Sequence, residues 1–158
     1  MDITKLLTPE RVLCLQDISS KKRVLEKLSE LLCQGASDFE TADVFNRLIE
    51  RERLGSTGLG HGVALPHGRM GDNEITIGAF IKLDEGVDFD SPDHQAADLL
   101  FALLVPEQHT SEHLQILASL AGMFSDTEFC NRLRLCKTDE ELYNTISGRI
   151  QTDKASSA

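Results

Sequence analysis

The 158-residue chain lacks several features that specialised classes of protein require. It has no Trp, and aromatic residues make up only 5% of it. No stretch approaches the roughly 18 consecutive apolar residues of a membrane-spanning helix, and the first residues lack the basic and long apolar regions of a signal peptide. The four cysteines do not form the C-x-x-C spacing of metal and redox motifs. We therefore expect a cytoplasmic protein whose thiols are reduced and buried.

Clustered positive charge is also missing. The 16 Lys and Arg residues form no basic run and are outnumbered by 26 Asp and Glu, which gives a formal net charge of -10. Binding to nucleic acid or to anionic membranes through phosphate neutralisation is therefore not expected. What the chain does have is 41% hydrophobic residues, enough at this length for one sizeable core. We predict a single domain.

The pattern of apolar residues indicates the strands of a sheet. Residues 11–16 alternate as a short strand, and residues 74–83 alternate strictly, which predicts a half-buried strand. Residues 99–105 are continuously apolar, as in the central strand of a sheet. Residues 55–68 contain five glycines and a proline, which predicts a loop with a short strand.

Five segments have the 3.6-residue period of amphipathic helices. The first runs from Ser20 to Gly35, and the second follows a capping box of Ser37 and Glu40 and continues toward Arg53. The remaining helix signals are a cap at Thr110 or Ser111, an apolar repeat at residues 129–133, and a capping box of Thr138 and Glu141. The order of elements predicts one α/β domain, with a central mixed β-sheet flanked by helices on both faces. We expect the tail, residues 148–158, to be disordered.

The glycine-rich segment does not match either common nucleotide-binding motif. A P-loop requires Lys after its final glycine, whereas Gly60 is followed by His61. A dinucleotide fingerprint that starts at Gly58 would need glycine where Val63 stands. What remains is a loop whose backbone N–H groups can approach an anion closely. Its candidate phosphoryl-binding residues are Ser56, Thr57, Gly58, Gly60 and Gly68.

His67 is the candidate nucleophile in this segment. It lies between Pro66, which fixes the backbone, and Gly68, which leaves the ring uncovered. Much of an imidazole is unprotonated near neutral pH and can therefore attack phosphorus. The alternative is a simple turn with a solvated histidine.

Phosphoryl transfer also needs positive charge, and the nearby candidates are Arg51, Arg53 and Arg69. Arg51 and Arg53 alternate with glutamates, so they could instead form a solvated, salt-bridged helix face. We favour a functional role for Arg51 and a structural one for Arg53.

A second histidine pattern competes with this interpretation. His109, Glu112 and His113 match H-x-x-E-H, an inverted zinc-protease motif. His109 lies near the expected helix start, however, and nothing marks a third ligand, so we predict no metal site. For His113 alone, a surface helix position is the alternative to a functional one. His61 could touch a bound phosphoryl group or face solvent, and His94 is expected on a surface loop.

The sequence RERLGSTGLGHGVALPHG, residues 51–68, resembles the active-site signature of the fructose/mannitol-type enzyme IIA domains of the phosphotransferase system. The resemblance extends to DLLFALLVP, to His113 with Leu114 and Leu117, and to CNRLRLCKTDEELY. It covers roughly residues 3–147, which we assign as the phosphocarrier domain. It implies that His67 is phosphorylated through Nε2, that His113 contacts the phosphoryl group, and that Arg51 is a positioning cation. No cofactor is implied.

Within that family, KKRVLEKLSELL and the late TDEELY segment resemble the nitrogen-regulatory branch. The resemblance implies a histidine phosphocarrier protein as donor, fed by enzyme I and phosphoenolpyruvate. The output would be phosphorylation-dependent control of partners such as transporters or kinases. The chain would act as a phosphotransferase component, without independent turnover of a small molecule. The alternatives are a sugar-transport component that passes phosphate to a IIB domain and a protein-binding module without phosphorylation. The regulated target, the active form and the oligomeric state stay open.

Overall fold

A mixed β-sheet forms the centre of the computed structural model, which describes residues 5–35, 38–71, 76–108 and 110–157. The described strands are β1 (Val12–Leu15), β2 (Gly58–Gly60), β3 (Val63–Ala64), β4 (His67–Arg69), β5 (Ile77–Val87) and β6 (Ala97–Val105). Their order is β1-β5-β6-β3-β2, and β4 also pairs with β6. The long strands β5 and β6 are antiparallel to each other. Strand β1 runs parallel to β5, and β3 and β4 run parallel to β6.

Helices cover both faces of this sheet. They are α1 (Lys21–Gln34), α2 (Thr41–Leu54), α3 (Thr110–Phe124), α4 (Thr127–Leu135) and α5 (Asp139–Ser157). Alternate residues of β6 divide the core in two, because Leu100 and Ala102 pack with α1 and α2 while Leu99 and Phe101 pack with the other three helices. The predicted single α/β domain with helices on both faces is confirmed.

Strand β6 is central, as its continuous apolar sequence predicts, because it pairs with β5, β3 and β4. The prediction of a half-buried strand at residues 74–83 is wrong for the part that the structure describes. In β5, Gly78 and Phe80 on one face are buried as fully as Ala79 and Ile81 on the other. The face expected to meet solvent is covered by α3, α4 and α5 instead. Residues 74 and 75 lie outside the described residues.

The predicted start of α1 at Ser20 and the predicted cap of α5 at Thr138 are confirmed. The Ser20 side chain accepts a hydrogen bond from Arg23 N at 3.1 Å, and Thr138 Oγ1 accepts one from Glu141 N at 3.1 Å. Helix α3 includes both Thr110 and Ser111, and the residue before it lies outside the described part of the chain, so the cap predicted at one of these two positions stays a prediction.

The capping box predicted for the second helix is misplaced. Helix α2 begins at Thr41, with Glu40 at the N-cap position and no side-chain cap. The start of the helix is therefore later than a cap at position 37 requires, because a Ser37 N-cap would put Glu40 inside the first turn. Ser37 itself lies outside the described residues.

The last helix continues past the predicted domain end at residue 147. Ile150 is only 2% exposed and packs in the core, so the chain gains apolar burial by remaining helical there. Arg149 pairs with Asp126 and Asp153 at 2.9 and 2.8 Å. In place of the disordered tail expected from residue 148, α5 therefore extends to Ser157.

All four thiols are unbridged. Cys130 and Cys136 are buried, as expected, while Cys14 and Cys33 are only partly so. Burial raises the pKa of the Cys14 and Cys130 thiols, which makes both less reactive.

None of the helices described has the length and apolar character needed to cross a bilayer.

Candidate active site

The segment that carries His67 lies along one edge of β6. Val63 is in register with Leu99 and His67 with Leu103, so β3 and β4 follow the same strand with an interruption between them. The interruption falls at Pro66, which cannot donate to a ladder but accepts a hydrogen bond from Leu103 N at 3.0 Å. This parallel track places the His67 ring, half-buried, on the sheet edge beside α2 and α3.

The orientation of the His67 ring is set by the backbone. Its Nδ1 atom lies 2.8 Å from the carbonyl oxygen of Leu65. A carbonyl oxygen only accepts, so Nδ1 carries the hydrogen and donates it. In the neutral ring the lone pair is then on Nε2. The geometry therefore leaves the Nε2 lone pair of His67 as the one available to react.

Burial lowers the pKa of His67 below its ordinary value, and the charges of Arg51 and Arg69 act in the same direction. The hydrogen bond to Leu65 and the charge of Glu52 oppose this effect without cancelling it. Because only the neutral ring has a free lone pair, a lowered pKa increases the nucleophilic fraction near neutral pH.

A cleft of about 590 Å³ brings His67 together with His113 and Arg51. Helix α3 supplies His113, which is 3% exposed and therefore belongs to the wall of the cleft rather than to the outer surface. Arg47 and Arg51 come from α2, and Arg69 comes from β4. The three residues predicted to carry the chemistry are thus neighbours, although His113 is far from the other two in sequence.

A second, smaller cleft of about 310 Å³ joins His67 and Arg51 to Ser56, Thr57 and Gly58. Both hydroxyl hydrogens are already engaged here. Ser56 Oγ donates to Phe89 O at 2.6 Å, and Thr57 Oγ1 donates to the Glu52 carboxylate. Binding of an anion by the five predicted residues, Ser56, Thr57, Gly58, Gly60 and Gly68, stays a prediction.

Two glycines of the segment allow close packing. A Cβ atom on Gly68 would lie 3.1 Å from the Cβ of Arg47 and 3.3 Å from its backbone, so α2 approaches β4 closely only because no side chain intervenes. A Cβ atom on Gly58 would lie 2.3 Å from Ser91 Oγ. Gly60 faces Asp93 rather than His67.

His61 and His94 do not line either cleft that contains His67. The exposed His61 donates its backbone N–H to Asp93 at 2.8 Å and lines a separate cleft of about 680 Å³ that also contains Arg134. His94 is exposed in a turn, as expected. Arg53 is exposed and lines a groove with Lys22, so its structural role stays a prediction.

Sequence reasoning missed two contributors to the site. Arg47 lies one helical turn before Arg51, and this i, i+4 spacing places both on one face of α2. Glu52 was grouped with the solvated charges of R-E-R, yet it is buried beside the loop. The spacing could have revealed Arg47, whereas nothing in the local sequence marks Glu52 as buried.

Within the described residues, no three His, Cys, Asp or Glu side chains are placed to hold a metal ion together. His109, the first residue of the H-x-x-E-H pattern, lies outside them.

The chain belongs to the EIIA 2 family of the phosphoenolpyruvate-dependent sugar phosphotransferase system, whose family profile matches residues 5–148. Within that family it is similar to proteins named nitrogen regulatory protein. One from Pseudomonas aeruginosa is 42% identical over 144 residues, covering 91% of this chain and 94% of the relative. One from Escherichia coli is 43% identical over 141 residues, covering 89% and 83%. The crystal structure of Nitrogen Regulatory Protein IIA-Ntr from Neisseria meningitidis matches with a TM-score of 0.84 at 42% identity, covering 94% of this chain and 98% of that one.

Proposed function

We propose that this chain is a nitrogen-regulatory phosphocarrier that accepts a phosphoryl group on Nε2 of His67 in the cytoplasm. The donor is a histidine phosphocarrier protein, charged by enzyme I from phosphoenolpyruvate. The observation that carries the proposal is the hydrogen bond from His67 Nδ1 to Leu65 O, because it directs the nucleophilic nitrogen away from the backbone. Membership of the phosphotransferase family and similarity to nitrogen regulatory proteins support it.

In the transfer step, the Nε2 lone pair of His67 attacks the phosphorus of the donor's phosphohistidine. An N–P bond forms on this chain as the donor's N–P bond breaks, and the bonding electrons return to the donor's imidazole. Such transfer requires mainly positioning and stabilisation of the charge on the equatorial oxygens. His113, Arg51 and Arg69 line the cleft and supply donors and positive charge for that purpose.

The rim of the cleft suits the docking of another protein. Leu54 is 85% exposed and Leu114 is 61% exposed, and both line the cleft that contains His67. A docking partner would cover these apolar side chains and exclude water from the transfer step. Phosphorylation adds close to two negative charges there, which changes the partners that this surface can accept. Transporters and kinases are the proposed class of regulated target.

The direct test is the intact mass of the protein after incubation with phosphoenolpyruvate, enzyme I and the histidine carrier. We expect an acid-labile gain of one phosphoryl group in the wild type and none in His67→Ala. His94→Asn is the matched control, because His94 is exposed and has a φ of 59° that Asn tolerates. Absence of a mass gain in the wild type, or an equal gain in His67→Ala, would contradict the proposal. Transfer onward to a fructose/mannitol-type IIB domain would favour the sugar-transport alternative instead.

A further inference from the structure

A buried carboxylate lies directly behind the glycine-rich segment that carries His67, residues 55–68. Glu52 is in the last turn of α2, and its side chain is 5% exposed. Its carboxylate accepts hydrogen bonds from Thr57 Oγ1 and from Thr57 N, the latter at 3.3 Å. Lys21 Nζ, at the start of α1, lies 2.9 Å from the same carboxylate. The buried charge is therefore paired and hydrogen-bonded, as a stable buried carboxylate must be.

The contacts of Glu52 continue to His67 through the backbone. Thr57 O accepts a hydrogen bond from Leu65 N at 3.1 Å. Leu65 O in turn accepts the hydrogen bond from His67 Nδ1 at 2.8 Å. The residue that fixes the His67 ring is thus itself fixed to Thr57, and Thr57 is fixed to Glu52 by both its hydroxyl and its N–H.

The Lys21 end of this arrangement is anchored as well. Lys21 Nζ lies 4.5 Å from the centre of the Phe89 ring and 3.3 Å from Asp90 Oδ2. Ser56 Oγ donates to Phe89 O at 2.6 Å. The loop that precedes His67 is therefore connected to α1 and to the chain that follows β5.

We propose that Glu52 is a positioning residue for phosphoryl transfer, which holds Thr57 so that the Leu65 carbonyl presents Nε2 of His67 in the reactive orientation. This inference rests on the proposed function of His67. It assigns the Thr57 hydroxyl to Glu52 rather than to the phosphoryl group. Misplacement of a nucleophile by about 1 Å can cost on the order of 100-fold in rate, so loss of this support reduces transfer without removing a reacting atom.

The pKa of His67 distinguishes positioning from a general loss of structure. The charged or titratable groups that face His67 or line its cleft are Arg47, Glu50, Arg51, Glu52, Arg69 and His113. The negative charge of Glu52 raises the pKa of His67 against the lowering by burial. Glu52→Gln keeps an acceptor for Thr57 but removes that charge, so it lowers the pKa of His67 further. A loosened site would admit water to the ring and move the pKa back up, toward the ordinary value.

The experiment compares Glu52→Gln, Glu52→Ala, Thr57→Val and the double variant Glu52→Ala/Thr57→Val with the wild type. Glu30→Gln is the control, because Glu30 is a half-exposed partner of Lys27, further along α1 than Lys21. Single-turnover phosphorylation by the histidine carrier gives the rate. Nitrogen-15 NMR of the unphosphorylated protein gives the tautomer and pKa of His67, and thermal unfolding checks the fold.

We expect Glu52→Ala and Thr57→Val to slow transfer by about 10- to 100-fold each. The double variant should be no slower than the slower single variant, because one contact is lost only once. Glu52→Gln should recover most of the rate, retain the Nδ1–H tautomer and lower the pKa of His67. If Glu52→Ala fails to fold, Thr57→Val, which leaves the carboxylate with Lys21, carries the test.

Full additivity in the double variant would overturn the inference, because it would place the Thr57 hydroxyl on the phosphoryl group independently of Glu52. Phosphorylation of every variant at the wild-type rate would overturn it as well. Failure of the proposed function is separate, since it shows as the absence of transfer to the wild type. The NMR comparison still decides whether Glu52 sets the orientation of the ring in that case.

Discussion

His67 and Leu65 form a hydrogen bond across a single intervening residue, with the ring Nδ1 2.8 Å from the carbonyl oxygen. That residue is Pro66, whose ring restricts the backbone between donor and acceptor. The imidazole is therefore oriented by local chain geometry, and the side chains around it are available for other tasks. For the proposed phosphoryl transfer, the His67 ring would therefore need no rearrangement before it reacts.

The lowered pKa of His67 predicts an unusual response to acid. Above about pH 6.5 the ring is neutral in both the folded and the unfolded chain. Below that value His67 becomes protonated in the unfolded chain but stays neutral in the folded one, because its pKa is lower there. The free energy of unfolding therefore decreases as the pH falls, until the pH passes the pKa of folded His67. Urea unfolding at pH 7.5 and 5.5 should show a larger loss of stability in the wild type than in His67→Gln. Parallel losses would contradict a buried, neutral His67.

Arg51 is predicted to act on His67 through its charge. Replacement by Gln removes a positive charge that lowers the pKa of His67, so that pKa should rise. The change also weakens the contact from Arg51 Nη1 to Gly55 O, now 2.8 Å, and transfer should fall by about 100-fold for loss of one charged donor. Arg53→Gln, an exposed neighbour, is the control. NMR titration of the imidazole checks the first effect, and an equal shift in both variants would argue against a specific role.

His113 is predicted to contribute to transfer from the wall of the cleft. His113→Gln keeps a side chain with hydrogen-bonding atoms at this 3% exposed position, and it should slow phosphorylation of His67 by about 100-fold with a small change in melting temperature. His113→Ala should lose stability as well, because it leaves space in a buried position. Stopped reactions analysed by intact mass give the rates. A Gln variant with a wild-type rate would reduce His113 to a packing residue.

Two glycine-to-alanine substitutions should change the free energy of unfolding in opposite directions. In Gly58→Ala the new Cβ would lie 2.3 Å from Ser91 Oγ and 3.0 Å from Ser91 Cα, so the two segments must separate, at a cost of about 1–3 kcal/mol in the free energy of unfolding. Gly122, inside α3, has no atom within 4 Å of the corresponding position. Gly122→Ala should therefore stabilise the protein by up to about 1 kcal/mol. Chemical denaturation of both variants measures the difference, and two equal effects would refute the packing argument.

The end of α5 provides a test of where the domain stops. Truncation after Ser147 removes Arg149 and Ile150, and loss of the buried Ile150 side chain should cost about 2–5 kcal/mol of unfolding free energy. Truncation after Asp153 retains both residues and should change stability by less than about 0.5 kcal/mol. Equal stability of the two shortened chains would return the boundary to residue 147.

The sequence allowed prediction of elements whose pattern has only one interpretation. The continuous apolar run of β6, the helix start at Ser20 and the cap at Thr138 belong to this group. Strand β5 was assigned one buried face because its Ile and Leu residues alternate, but Gly78 and Phe80 between them are equally able to be buried. Local pattern does not reveal that three later helices cover that face.

The site was predictable only in part for a similar reason. His67 and its loop could be identified from the glycine-rich segment, and family resemblance indicated His113 and Arg51. The burial of Glu52 could not be inferred, because it depends on contact with Lys21, which arrives from a different helix. Charged residues at a helix end are usually solvated, so the pattern R-E-R gave no indication of a buried carboxylate.

The distribution of charge around the cleft has a consequence for signalling. On a chain of formal net charge -10, the cleft that contains His67 is lined by three arginines and one glutamate. The cleft is therefore locally positive on a chain that is negative overall. In the proposed phosphorylated form, close to two added negative charges would offset this local positive charge. The two forms would then differ most in their long-range attraction for acidic proteins. Partner selection could therefore be tuned by ionic strength, before any side chain of the two proteins touches.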